Sequence, residues 1–243
     1  MDEYTKIAKM LEEGQISPIE AEKLLAALDE PATQASPTAV GNSLRARIDR
    51  ADLLVRVDPA ISEPRVASPA ALRLELQKDG DGWSLKQKGG KLRVGFFDLF
   101  SKRHAVELTL PAGVGLNLSL GQGALKVADS LPVLRARIGQ GSADFTTVEE
   151  VDLQLGQGSI NGRARLSGGS HRLGAGMGSV KLVLEEGSDL RLQLKTGMGE
   201  ISVAGSLQYS SPKPAAKFEG VVGEGRGSLK VSTGVGNVEV EVL

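Results

Sequence analysis

The chain has 243 residues, a formal net charge of −1, no cysteine and 3% aromatic residues. That length holds one large β domain or one domain with a small appendage. The missing cysteines exclude disulfides and thiolate metal sites, and the near-neutral balance gives no bulk attraction to nucleic acid or to an anionic membrane.

No apolar run approaches the roughly eighteen residues of a transmembrane helix. The N-terminus is acidic and amphipathic, unlike a signal peptide. The expected location is therefore the cytoplasm, with cell-envelope association without a conventional signal peptide as the alternative. Charge is unevenly placed: residues 1–30 hold eight acidic residues against three lysines, a net of −5, which leaves the remainder at +4. Acidic head and basic body attract weakly and in a salt-sensitive way.

Tyr4, Ile7, Ala8 and Leu11 fall on one helical stripe that closes at Gly14. Ser17 caps a second helix, Pro18 fits its first position, and Glu20 completes a capping box. Ala21, Leu24, Leu25 and Leu28 form its stripe, and Pro31 follows. The pattern predicts a helical hairpin over 1–30. Two helices this short are marginal alone, so Ile7, Leu11, Leu24, Leu25 and Leu28 are candidate contacts for a second copy, the rest of the chain or a partner. Residues 31–42 lack periodicity and large apolar groups and read as a linker.

A β domain is expected over 43–243. Leu44, Ala46 and Ile48 alternate, as do Leu53, Val55 and Val57. Leu72, Leu74 and Leu76 lead into Asp79-Gly80-Asp81-Gly82, and Trp83 and Leu85 alternate beyond it, a hairpin signal. A calcium loop fits less well, because EF-hand spacing and the distal glutamate are missing. Phe96, Phe97 and Phe100 cluster as a packing plug or, alternatively, as a wedge for lipid or a partner.

The C-terminal half repeats a glycine bracket: Leu120-Gly121-Gln122-Gly123, Ile138-Gly139-Gln140-Gly141, Leu155-Gly156-Gln157-Gly158, Ala175-Gly176-Met177-Gly178, Thr196-Gly197-Met198-Gly199 and Thr233-Gly234-Val235-Gly236. Successive brackets lie 18, 17, 20, 21 and 37 residues apart. Apolar residues alternate before each bracket and resume on the other parity after it: Leu116, Leu118 and Leu120 give way to Leu125 and Val127. Each repeat thus reads as two short strands joined at a glycine corner. One such unit cannot bury its apolar face, so the repeats are expected to stack as a β-solenoid. The double-length gap reads as a degenerate turn with a loop at Pro212-Lys213-Pro214. Val238, Val240 and Val242 are expected to form an uncovered last strand and a second candidate interaction edge.

The hairpin residues Lys9-Met10-Leu11-Glu12-Glu13-Gly14-Gln15-Ile16-Ser17 and Glu20-Ala21-Glu22-Lys23-Leu24-Leu25, with Val106-Glu107-Leu108-Thr109-Leu110-Pro111 and the bracketed repeats, carry a family likeness. The chain resembles the bacterial putative-adhesin family, more narrowly the YvlB/LiaX type with a SHOCT-like hairpin before the β repeats. The resemblance implies a β-solenoid and a link to cell-envelope stress. That family often has an acidic residue after the bracket, whereas this column reads Ala124, Ser142, Ser159, Ser179, Glu200 and Asn237.

No catalytic, cofactor-binding or metal-binding set emerges. His104 and His171 lie far apart without ligands at metal spacing. Glu149-Glu150 and Glu185-Glu186 are adjacent strand residues that face opposite ways. The brackets lead from strand to strand and cradle no phosphate. Between the glycines, Gln122, Gln140 and Gln157 suit an amide ladder that Met177, Met198 and Val235 continue. A non-enzymatic scaffold that binds a protein partner or itself is the expected function. A carbohydrate-binding or carbohydrate-active β-helix, or a surface adhesin, is the alternative. No nucleic acid, cofactor or integral membrane span is expected, and contact with a membrane surface is left open.

Overall fold

A computed structural model describes residues 42–70, 72–88, 104–205, 209–210 and 216–243. The hairpin expected over 1–30, the linker up to residue 41, the three phenylalanines and the loop at 212–214 lie outside the described residues. Those described are mainly β, with no helix among them.

Alternation of apolar and polar side chains dictates the local structure. β1 (Ser43–Arg50) buries Leu44, Ala46 and Ile48, and β2 (Asp52–Val57) buries Leu53 and Val55. Between them lies a corner at 49–51. β7 (Gly115–Val127) repeats this design in one continuous strand bent at its bracket, and β8 (Leu131–Ala164) contains two further brackets. β9 (Ser170–Met177) with β10 (Val180–Leu184), β11 (Leu190–Met198) with β12 (Ile201–Gly205), and β15 (Gly227–Val235) with β16 (Val238–Val242) complete the set. Corresponding halves pair in parallel and in register: Leu116 with Leu134, Gln122 with Gln140, Leu125 with Ala143, and Leu153 with Leu173. The half before each bracket and the half after it therefore form two stacks of strands. Their buried sides make one apolar core of mainly Leu, Val and Ile.

The glycines are required for two distinct reasons. The second glycine of each bracket has φ between 130° and 142°, a region costly for a residue with a side chain. A Cβ on either glycine would also strike the backbone carbonyl of the neighbouring corner. At Gly141 that contact would be 1.8 Å from the oxygen of Gly123, and at Gly139 2.4 Å from the oxygen of Gly121. Each added Cβ points toward the neighbouring corner, and at Gly121 and Gly123 that neighbour is the glycine-free corner of Asp49 and Ala51.

Both ends of the first stack are covered by antiparallel strands. β4 (Leu74–Asp79) and β5 (Gly82–Gln87) form the hairpin expected at Asp79-Gly80-Asp81-Gly82, and β5 lies in parallel on β1. At the other end β14 (Lys217–Val222) runs antiparallel to β11, and β13 (Tyr209–Ser210) adds to it. In the second stack β6 (Ala105–Leu110) pairs with β2, and β3 (Arg65–Ala67) lies antiparallel on β6.

Chain order and spatial order part at the C-terminus. β15 lies between β9 and β11, and β16 lies between β10 and β12. The corners therefore run 49–51, 121–123, 139–141, 156–158, 176–178, 234–236 and 197–199. This corrects two expectations. Val238, Val240 and Val242 are buried and paired on both sides, so they form no exposed edge. The described part of the stretch between the last two brackets supplies the antiparallel cover β14 in place of a further parallel turn, because Phe218 and Gly220 pair with Leu194 and Leu192 in the reverse direction.

Candidate functional site

Functional side chains have to sit on the outside of these strands, because the inside is filled. Among the described residues no group of three or more His, Asp or Glu is placed to hold a metal ion. His171 is buried on the core side, where it pairs in register with Leu229. Its Nε2 lies 2.6 Å from the carbonyl of Gly168, and its Nδ1 accepts the Val151 N–H at 3.4 Å. Burial pushes its pKa down, against the opposing effects of the Gly168 carbonyl and the Glu150 charge. Both ring nitrogens are engaged within the protein.

Glu149 and Glu150 separate as strand geometry requires, whereas Glu185 and Glu186, expected in a strand, lie just past the end of β10 and lead into a turn. Glu150 binds Arg135 at 2.6 Å, and Glu185 accepts the Thr147 hydroxyl at 3.1 Å, while Glu149 and Glu186 are exposed. The positions after the bracket serve the corners themselves: Asp52 accepts the Ala124 N–H at 2.9 Å and Asn237 accepts the Glu200 N–H at 3.0 Å.

A cleft of about 880 Å³ lies by the β4–β5 turn and is lined by Glu63, Lys78, Asp81 and Trp83 among others. Trp83 is half-buried, and the Lys78 ammonium sits 5.9 Å from its ring centre. That distance is within the reach of a cation–π contact.

The middle residue of each bracket points outward and lines up along the stack. The glutamine ladder is present: Gln122 donates to Gln140 at 3.0 Å, and Gln140 to Gln157 at 3.4 Å. Beyond Gln157 the column continues as Met177, Val235 and Met198, which are paired in register on neighbouring strands. Because β15 is inserted, Val235 lies between the two methionines. Their exposures are 48%, 43% and 66%. Thr233 donates its hydroxyl to the Gly178 carbonyl at 2.9 Å and Thr196 donates to the Gly236 carbonyl at 2.9 Å, which fixes these corners against one another. The shared threonine before both brackets is the sequence signal for this adjacency.

The interaction residues expected on the hairpin, Ile7, Leu11, Leu24, Leu25 and Leu28, lie outside the described residues. The structure brings Val238, Val240 and Val242 together inside the core. What sequence spacing missed is the continuity of the exposed row, since Met198 and Val235 are far apart in the chain and adjacent in the sheet.

No family model and no curated protein sequence matches the chain. Among solved structures it is similar to a "putative cell adhesion protein" from Clostridium sporogenes, at 15% identity and a TM-score of 0.50, over 85% of this chain and 95% of that one. It also aligns with a "putative adhesin" from Bacteroides fragilis, at 8% identity and a TM-score of 0.27, over 81% of this chain and 91% of that one. The Clostridium structure shares the fold.

Proposed function

We propose that the chain is a non-enzymatic β-solenoid scaffold that holds a partner protein against its outer surface, with the SHOCT-like hairpin expected over 1–30 as a second contact module. The observation that carries this reading is the row Met177, Val235 and Met198, three exposed apolar side chains side by side at the corner. Methionine adapts to irregular surfaces, and an apolar row that glutamines replace elsewhere in the same column is suited to burial by a partner. The description of the Clostridium structure as a cell adhesion protein favours an adhesin-like role, and the family resemblance favours a setting linked to the cell envelope.

The test is affinity capture with the full-length chain followed by mass spectrometry, wild type against the triple variant Met177→Ser, Val235→Ser and Met198→Ser. The expected result is a specific protein partner that the variant loses while its thermal midpoint stays unchanged. A partner captured equally by the variant would refute the assignment to this row.

A further inference from the structure

The two outer faces of the stacks differ in how their charges are arranged. On the stack that follows the brackets, charges are matched locally: Arg56 binds Glu107 at 3.1 Å, Lys181 binds Glu239 at 3.2 Å, and Asn161 donates to Asp144 at 3.0 Å. On the stack that precedes the brackets positive charge is in excess, although Glu150 binds Arg135 and Asp152 stands in register with Arg172. In register from β5 to β14, one outward column reads Lys86, Arg47, Ser119, Arg137, Gln154, Gly174, Ser232, Lys195 and Lys217, with no carboxylate in it.

The next column, two residues earlier on each strand, contains Arg45, Arg135, Arg172 and Lys230, with Asp152 and Glu219 as its acids. Within the face only Arg135 has a carboxylate partner among the described residues, Glu150 at 2.6 Å. At the far end Glu75 of β4 is bound by Lys88 at 2.9 Å. Like charges even stand directly opposite one another, Lys195 against Lys217 and Arg172 against Lys230. Cross-strand like charges cost stability, so the face concentrates positive charge at its own expense.

The chain as a whole has a net charge of −1, so this field is a local property that bulk composition hides. The face spans the strands from β5 to β14, about 40 Å at about 4.8 Å per strand. Its positive groups are spread over two columns and over the length of the stack.

Three features select the partner. The outward positions of these two columns are Arg, Lys, Ser, Asn, Gln and Gly with the acids Asp152 and Glu219, and none is aromatic, so nothing there stacks on bases or sugar rings. The face also lacks the apolar centre on which a protein interface depends. Finally, a broad field on a sheet matches a plane of charge better than a single polymer track.

We propose that this face binds the surface of an anionic phospholipid bilayer through its headgroups. Arg47, Arg137, Arg172, Lys230, Lys195 and Lys217 supply the attraction. Each basic group near such a surface contributes independently, and the interaction decays over a Debye length of about 8 Å at physiological salt. The assignment is independent of the protein-binding row, which lies at the corner, so the two can fail separately.

Co-sedimentation of the full-length chain with vesicles tests it. The protein should bind vesicles of phosphatidylglycerol and phosphatidylcholine, ignore vesicles of phosphatidylcholine alone, and be released at about 0.5 M salt. The variant Arg137→Gln, Arg172→Gln and Lys195→Gln should lose at least about tenfold in partitioning. The opposite-face variant Lys126→Gln and Arg163→Gln should not. Thermal midpoints of both variants within about 2 °C of wild type would show that the loss is not unfolding. Absence of binding to the anionic vesicles, equal binding to phosphatidylcholine alone, or an undiminished basic-face variant would each overturn the assignment. So would retention on immobilised RNA homopolymer stronger than on vesicles, which would mark the face as a nucleic-acid surface.

Discussion

Asp189 and Arg226, 37 residues apart in the chain, meet at two points: the Arg226 backbone N–H donates to Asp189 Oδ1 at 3.0 Å, and its Nε–H donates to Oδ2. The backbone of Asp189 adds two more ties, donating to Leu166 at 2.7 Å and accepting from Gly227 at 3.0 Å. Asp189 precedes β11, Gly227 opens β15, and Leu166 follows β8, so one residue joins three neighbouring turns of the stack. This is where the C-terminal segment is held in its inserted place.

The Arg226 backbone N–H, followed by its guanidinium, holds the Asp189 carboxyl below the usual carboxylate range, against a smaller opposing effect of burial. A depressed carboxylate pKa adds stability that is complete above the ordinary value near 4 and is lost as pH falls through it toward the folded value. Thermal unfolding of wild type should therefore show a stability loss below about pH 4 that Asp189→Asn lacks, the variant being less stable than wild type at neutral pH. Identical pH profiles would refute the role given to this contact.

His171 sets a second pH dependence in a different window. Its folded pKa is lowered by burial, so the unfolded chain takes up the proton more readily than the folded one. The stability of the neutral form is complete above about pH 6.5 and declines as pH falls from there toward the depressed value. Comparing thermal midpoints at about pH 7.5 and about pH 5 should show a drop that His171→Leu abolishes. The leucine variant should be less stable by about 1–3 kcal/mol at neutral pH, because the Val151 N–H loses its acceptor.

Glycine substitutions should separate corner positions from ordinary turns. At Gly158 the φ is 130° and a Cβ would lie 1.6 Å from the Gly141 oxygen, whereas at Gly168 nothing lies within 4 Å. Gly158→Ala should cost about 3 kcal/mol or more, while Gly168→Ala should stay within about 0.5 kcal/mol of wild type. Urea denaturation of both proteins measures the difference. Comparable losses would show that close backbone contact does not set the bracket.

Hydrogen exchange tests the inserted order of the strands. β16 is paired with β10 and β12, and Val240 is 2% exposed. Its amides should exchange as slowly as those of β8 and only through global unfolding. Rapid exchange across 238–242 would place β16 at an edge and overturn the strand order.

The sequence by itself determined the strand segments, the face each buries, the positions of the corners and the β4–β5 hairpin. These are local matters: a side-chain period of two fixes a buried face, and a parity switch beside two glycines marks a bend. It also showed the glutamine ladder of Gln122, Gln140 and Gln157, because three successive brackets stack in chain order.

Only the tertiary structure decided which turns are neighbours beyond Gly178. A strand such as β15 presents the same alternation to any parallel partner, so periodicity does not distinguish a place at the end of the stack from one between β9 and β11. That choice rests on long-range contacts: the threonine hydroxyls of Thr196 and Thr233 on glycine carbonyls, the Asp189–Arg226 pair, and the antiparallel cover that β14 lays over β11. The same choice made Met177, Val235 and Met198 a continuous row. Register, likewise, gathered scattered arginines and lysines into one face with an excess of positive charge, which neither net charge nor residue spacing records.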